Sequence, residues 1–178
     1  LFLILQIGSG KKPGTPEKGA EASKETELAP AVSDRVTRLL SELIDYMGSL
    51  NQAAGPEVQP LLKQGLEYKV KSEHLQAVEV FKQALDLKLT DSEKSAFLIL
   101  MGNSEAFIKE YDSAINHYYQ AMRLGQNAHN DTVLAVTYSN LAVVYQLKED
   151  MKGALESYFD LLSVERKVGN SLGEKNIL

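Results

Sequence analysis

The sequence predicts an all-α chain made of stacked helix pairs, and three observations predict it. The first is a recurring set of spacings. Gly102, Ala114, Tyr118 and Ala121 stand at successive steps of twelve, four and three residues. The same steps hold at Gly65, Ala77, Phe81 and Ala84, and again at Ala142, Ala154, Tyr158 and Leu161. A small residue on each of two helices lets their backbones come close, so the set describes two helices in contact. The second observation is that, between turn signals, apolar residues recur at three- and four-residue steps. The third is composition. The chain has 178 residues, 24% of them charged, with a net charge of −5 and no cysteine. That is the composition of one globular domain with room for an appendage.

The chain opens on Leu1-Phe2-Leu3-Ile4-Leu5-Gln6-Ile7. A membrane-spanning helix needs about 20 apolar residues, so this run is too short to cross. A signal peptide carries basic residues ahead of its apolar stretch, and none stand here. The run is read as a fragment end. Gly10-Lys11 lacks the earlier Gly and the following Ser or Thr of a phosphate loop, since Leu5 and Lys12 occupy those places. Residues 8–30 are rich in Gly, Pro, Lys, Glu, Ala, Ser and Thr. Such a stretch buries too little surface to offset its ordering entropy, so 1–32 is expected to be a disordered N-terminal segment.

Residues 33–56 are expected to form a cap helix and connector. Ser33 can cap a helix start. Val36, Leu39, Leu40, Leu43, Ile44, Met47 and Leu50 follow at helical steps, with Arg35, Arg38, Ser41, Glu42 and Asp45 on the other face. The small-residue spacings are missing from this helix. Repeat arrays need a capping element, because each unit buries its faces only against neighbours. Self-association or a partner contact through this helix is the alternative.

Residues 57–178 are expected to hold three helix pairs and the start of a fourth. The first pair is predicted over Glu57–Lys71 and Glu73–Lys88. Pro60 is tolerated there because first-turn amides have no helical partner. The second pair follows Thr90, whose spacing to Glu93 is that of a capping box. It runs to about Lys109, then over Tyr111–Arg123. The third follows Asn130-Asp131-Thr132 and runs to Leu147, with its partner over Asp150–Val168. Asn170 onward reads as the first turns of a fourth unit.

These residues resemble the tetratricopeptide repeat, whose pattern is a large residue, Leu-Gly, an aromatic, then Ala-x3-aromatic on a second helix. The large residues are Leu61, Leu98 and Tyr138, and the aromatic three places after the small residue is Tyr68 or Tyr145. In the middle copy Glu105 stands at that place and is expected to be buried, with a Tyr or Lys of the next pair as its partner. The resemblance implies a right-handed superhelical solenoid. Gly65 and Gly102 are 37 residues apart, and Gly102 and Ala142 are 40 apart. The usual period is about 34. The extra residues are placed at the ends of the second helices and in the loops after them. Longer units of this kind are similar to those of Pins/LGN-like adaptors, rapsyn and kinesin light chains.

Composition and spacing exclude several functions. The mild negative charge argues against a nucleic-acid partner. The absence of cysteine removes disulfides and thiolate metal sites. His74, His117 and His129 share no four-residue helical spacing, so no helical metal pair exists. His74 is read as packing at a turn. Carboxylate pairs such as Glu156 and Asp160 read as solvated faces that repel. No nucleophile, base and carboxylate stand at spacings that define a catalytic triad, so an enzyme, a metal and a cofactor are not expected. No membrane partner is expected either, and the chain is read as cytoplasmic.

The remaining class is a protein–protein interaction module, an adaptor or scaffold. The first helices of stacked pairs line a concave side. Helical spacing places Leu62, Lys63, Leu66 and Lys69 of the first unit there, with Ile99, Asn103 and Phe107 of the second. The third adds Val136, Asn140, Val143 and Leu147. An apolar groove with two Asn side chains suits a peptide or a helix, since Asn can pair with a peptide main chain. The alternative for these Asn is to tie neighbouring helices together. The resemblance also includes receptors for a chaperone's carboxylate tail, which use basic residues on these helices. Ile99 stands where one is needed, so that subclass is set aside. The alternative function is a structural spacer or self-assembly segment whose groove is filled in cis by the chain's own N-terminal residues.

Overall fold

The computed structural model describes residue 48 and residues 55–175, with side chains through residue 169. The expected disordered segment 1–32 lies outside the described residues, as does the expected cap helix apart from Gly48. The rest is six helices in succession: α1 Val58–Val70, α2 His74–Leu85, α3 Asp91–Phe107, α4 Tyr111–Asn127, α5 Asp131–Leu147 and α6 Met151–Lys175. No strand occurs among the described residues. Each helix packs on the next along the chain, and α3 also touches α5.

Local chemistry explains the starts of α3 and α5. Thr90 and Glu93 form the predicted capping box: Thr90 N–H donates to Glu93 Oε2 at 2.8 Å, and Glu93 N–H donates to Thr90 Oγ1 at 3.3 Å. Asn130 caps α5 through its Oδ1, which accepts from Val133 N–H at 3.1 Å. The helix ends differ from expectation in two places. α4 runs four residues past Arg123, so the extra length of the second unit is helix rather than loop. α6 continues to Lys175, so the expected start of a fourth unit at Asn170 has no break before it. Gly169-Asn170 reads as a stop, but a glycine inside a helix costs only about 1 kcal/mol, too little to end one by itself.

Four of the five turns share one backbone. Lys71–Glu73, Ile108–Glu110, Ala128–Asn130 and Lys148–Asp150 each have a central residue with positive φ: Ser72 at 60°, Lys109 at 68°, His129 at 50° and Glu149 at 62°. The residue after it donates its N–H back to the preceding helix. Glu73 reaches Tyr68, Glu110 reaches Glu105, Asn130 reaches Gly125 and Asp150 reaches Tyr145, each at 2.9 Å. This is the left-handed helix terminus usually given to glycine. Here no glycine fills it, so the turn is invisible to a search for Gly signals. Only the link from α2 to α3, residues 86–90, is built differently.

The predicted small-residue contacts hold in the first two pairs. Phe81 Cε1 lies 2.1 Å from where a Cβ on Gly65 would be, and Tyr118 Cε1 lies 2.8 Å from where one on Gly102 would be. The second-helix ring therefore occupies the space that the glycine leaves. The third pair departs from this pattern. Ala142 is fully buried, whereas Tyr158 is 37% exposed and its hydroxyl donates to Gln146 Oε1 at 3.2 Å. The methyl of Ala142 stands where a ring would have to lie. Apolar clusters run along the array: Leu62, Phe81, Phe97 and Val136 in one, Ala114, Tyr118, Leu141 and Val144 in the next.

Candidate binding face

The first helices carry all the residues expected to line a groove, and the structure sorts them by depth. Leu62, Ile99, Asn103, Val136, Asn140 and Val143 are buried. Leu66, Lys69 and Phe107 are half-buried, and Lys63 and Leu147 are exposed. Leu62, Leu66, Ile99 and Val136 come together in one apolar cluster. Phe107 and Val143 belong to the next. The face is thus largely core. The sequence pattern marks which helix side a residue occupies, but not how much of that side water reaches.

Asn103 is a tie within its own helix pair. Its Oδ1 accepts from the buried Tyr118 hydroxyl at 2.7 Å. Burial holds that phenol well above its ordinary range, with the Glu105 charge adding to the effect. The donor therefore stays protonated. Asn140 is 1% exposed, so like Asn103 it is sunk beneath the surface that a ligand would touch.

Glu105 is buried, as expected, at 7% exposure. Its partner corrects the expectation. His117 Nδ1, on the second helix of the same pair, lies 2.6 Å from Glu105 Oε2. No Tyr or Lys of the next pair is needed. The step of twelve from residue 105 to residue 117 repeats the step from Gly102 to Ala114, so the contact was legible in the spacing itself.

Two groups at the edge of the face lack partners. Lys69 Nζ and His74 Nδ1 are buried with no hydrogen-bond partner among the described residues. Burial pushes the Lys69 amine down to about 8. His74 stacks on Phe107 with ring centroids 4.3 Å apart and planes 2° from parallel, which supports the packing role given to it. Burial, and after it the Lys69 charge, lowers its pKa.

Sequence reasoning missed a second concavity, between α4, α5 and α6, lined by Tyr119, Tyr138 and Tyr145 with Glu156 and Asp160. In the sequence the two carboxylates show only as a like-charged pair on one helix face.

Among the described residues no group of three or more His, Asp or Glu is placed to hold a metal ion. No helix among them is long and apolar enough to cross a membrane. Residues 94–164, covering α3 to α6 from near the first turn, match the family model described as Tetratricopeptide repeat. With the repeated spacings and the helix pairs in register, the match identifies residues 94–164 as tetratricopeptide repeats. No curated protein matches it. Repeats of this family generally mediate protein–protein interactions and are typically not enzymes, so a protein partner is indicated.

Proposed function

We propose that the chain is an adaptor-type interaction module that takes an amphipathic helix against the inner face of α1, α3 and α5. The burial of α3 is the observation that carries this reading. Every residue from Ser95 to Ala106 is buried, more than three turns without a wet side. Its neighbours among the described helices are chiefly α2 and α4, with a lighter contact to α5. Three neighbours around a cylinder leave a sector open, and a helix buried all round needs further cover. An apolar helix supplies that cover without bringing unpaired backbone groups, because its own amides and carbonyls are satisfied internally. The buried Asn103 argues against a peptide main chain read by Asn side chains.

The chain carries a segment of the required pattern. Val36, Leu39, Leu40, Leu43, Ile44, Met47 and Leu50 form an apolar stripe at helical steps. On this reading residues 33–50 are the resting occupant, and a partner helix of the same pattern competes for the face. A spacer with a permanently filled groove is the second reading, supported by the same burial. Because the chain has no cysteine, a single Met47→Cys variant takes one spin label at a defined place. The label is expected to broaden the methyl signals of Ile99, Val136 and Val143. Excess unlabelled peptide of residues 33–50 is expected to restore them. Broadening that no added helix relieves supports the spacer. No broadening in the chain and no shift on adding the peptide overturns both.

A further inference from the structure

The hollow between α4, α5 and α6 has a volume of about 280 Å³. Tyr119 comes from α4, Tyr138 and Tyr145 from α5, and Glu156 and Asp160 from α6. Its openness has a cause in the sequence. Gly153 and Ser157 share the α6 face that carries the two carboxylates, at helical steps. A Cβ on Gly153 would lie 2.8 Å from Tyr145 Cδ1, so the missing side chain is what admits the ring. The Tyr119 and Tyr145 hydroxyls meet at 3.0 Å.

The lining contains two carboxylates and no cation. Glu156 and Asp160 are four residues apart on one helix, where like charges destabilise. The cation near Glu156 is Lys152 at 3.8 Å, and both side chains are mostly in water. Burial raises the phenols of Tyr138 and Tyr145 above their ordinary range, and nearby carboxylates add to it. Neutral rings with negative faces, beside two acceptors that repel each other, make an environment that favours a cation.

We infer that this hollow binds the guanidinium of an arginine side chain presented by a protein partner. The volume is at the lower limit of pockets for small molecules, about 300 Å³, and suits the end of one side chain. Guanidinium fits better than ammonium for two reasons. Its planar fork of donors can serve Glu156 and Asp160 together, and its flat face stacks on tyrosine. The site lies between α4, α5 and α6 on residues other than those of the inner face, so it does not depend on what occupies that face.

The test uses the whole chain and N-acetyl-arginine amide as probe, followed by NMR. The probe is expected to shift the Gly153 amide and the ring signals of Tyr119, Tyr138 and Tyr145 saturably. The shifts should weaken severalfold from low to high salt. The citrulline analogue, which keeps the shape and loses the charge, is expected to leave these signals in place. Glu156→Gln with Asp160→Asn should weaken arginine binding about tenfold or more, in a chain whose Tyr118 signals and melting temperature are unchanged. If that variant does not fold, Tyr119→Leu takes its place with the same expectation. Equal shifts with citrulline, equal affinity for N-acetyl-lysine amide, arginine shifts that survive the carboxylate variant, or no shift up to the solubility of the probe would each overturn the assignment.

Discussion

Helices α3 and α6 are parts of one repeat pattern in opposite surroundings. α3 contains Ser95, Asn103, Ser104 and Glu105, yet all four are buried. α6 contains Met151, Leu155 and Phe159 at four-residue steps, and they are 61%, 57% and 62% exposed. Residue polarity therefore does not decide burial here; position in the array does. A repeat helix buries its outer side only when another unit lies against it. The sequence of α3 shows what that demands. Each polar group for which a bond is resolved has a short-range or paired acceptor or donor. Ser95 Oγ donates to Ser92 O at 2.8 Å, Ser104 Oγ donates to Leu100 O at 3.0 Å, Asn103 takes Tyr118, and Glu105 takes His117.

The largest expected effect tests the packing half of this contrast. Gly102→Leu on α3 drives a side chain into the Tyr118 ring and should cost about 1–3 kcal/mol or more, as overpacking does. Gly169 on α6 has nothing within 4 Å of a built Cβ. Gly169→Ala should therefore gain up to about 1 kcal/mol from helix propensity alone. Urea unfolding of both variants checks the pair, and equal costs would remove the distinction between the two helices.

The next effect concerns the polar groups inside. His117→Ala leaves the Glu105 carboxylate buried without its partner, at a cost of about 1–3 kcal/mol. Adding Glu105→Leu to that variant should return part of the loss, because the stranded charge is then gone. A double-mutant cycle measures the coupling, and additive losses would mean that the 2.6 Å contact carries no energy.

Lys69 gives a smaller effect with a pH signature. Its amine falls from the ordinary 10.5 to about 8 in the folded chain. Each pKa unit is worth about 1.4 kcal/mol, and the half-exposed stem reduces the full product, leaving about 1–2 kcal/mol. From about pH 8 to 10.5 the unfolded chain holds the proton that the folded chain has released, so stability rises with pH through that window. Lys69→Met should therefore be more stable than the parent at pH 7 and lose that advantage above pH 10.5. The same variant relieves the charge on His74, whose pKa should rise towards its ordinary value in an NMR titration. A constant advantage at all pH values would place the Lys69 amine in water.

The contrast also explains which parts of the molecule were legible in the sequence. Gly65 against Phe81 and Gly102 against Tyr118 could be read, because an absent side chain and a ring twelve and four residues on define one contact. The capping box of Thr90 and Glu93 could be read because it is local. Four features escaped because none has a residue signature of its own: each is set by backbone shape or by packing in three dimensions. The left-handed turn residues Ser72, Lys109, His129 and Glu149 have no glycine signature. Tyr158 matches the spacing of Tyr118 but cannot lie over Ala142, whose methyl fills the space. The depth of Asn103 and Asn140, and the hollow made by Gly153 and Ser157, follow from packing between units rather than from any one helix.

The smallest effect is the sharpest test of the open side. Met151, Leu155 and Phe159 form a mostly exposed stripe, while Ala154 and Leu161 on the other side of α6 are 3% and 4% exposed. If array position alone decides burial, replacing the stripe removes nothing from the folded chain. Leu155→Gln with Phe159→Gln should change unfolding free energy by no more than about 0.5 kcal/mol, the range of surface substitutions away from special features. The same exchange at Leu98 of α3, 2% exposed, should cost several times that, because it buries an amide in the apolar cluster around Phe81 and Phe97. Sedimentation velocity gives a second reading. An apolar stripe of this length favours association at high concentration, and the Gln pair should reduce it. A loss above about 1 kcal/mol in the dilute Leu155/Phe159 variant is the outcome that fails the comparison, since a free surface has no such energy to lose. The stripe would then be covered in solution, and α6 would be an interior helix like α3.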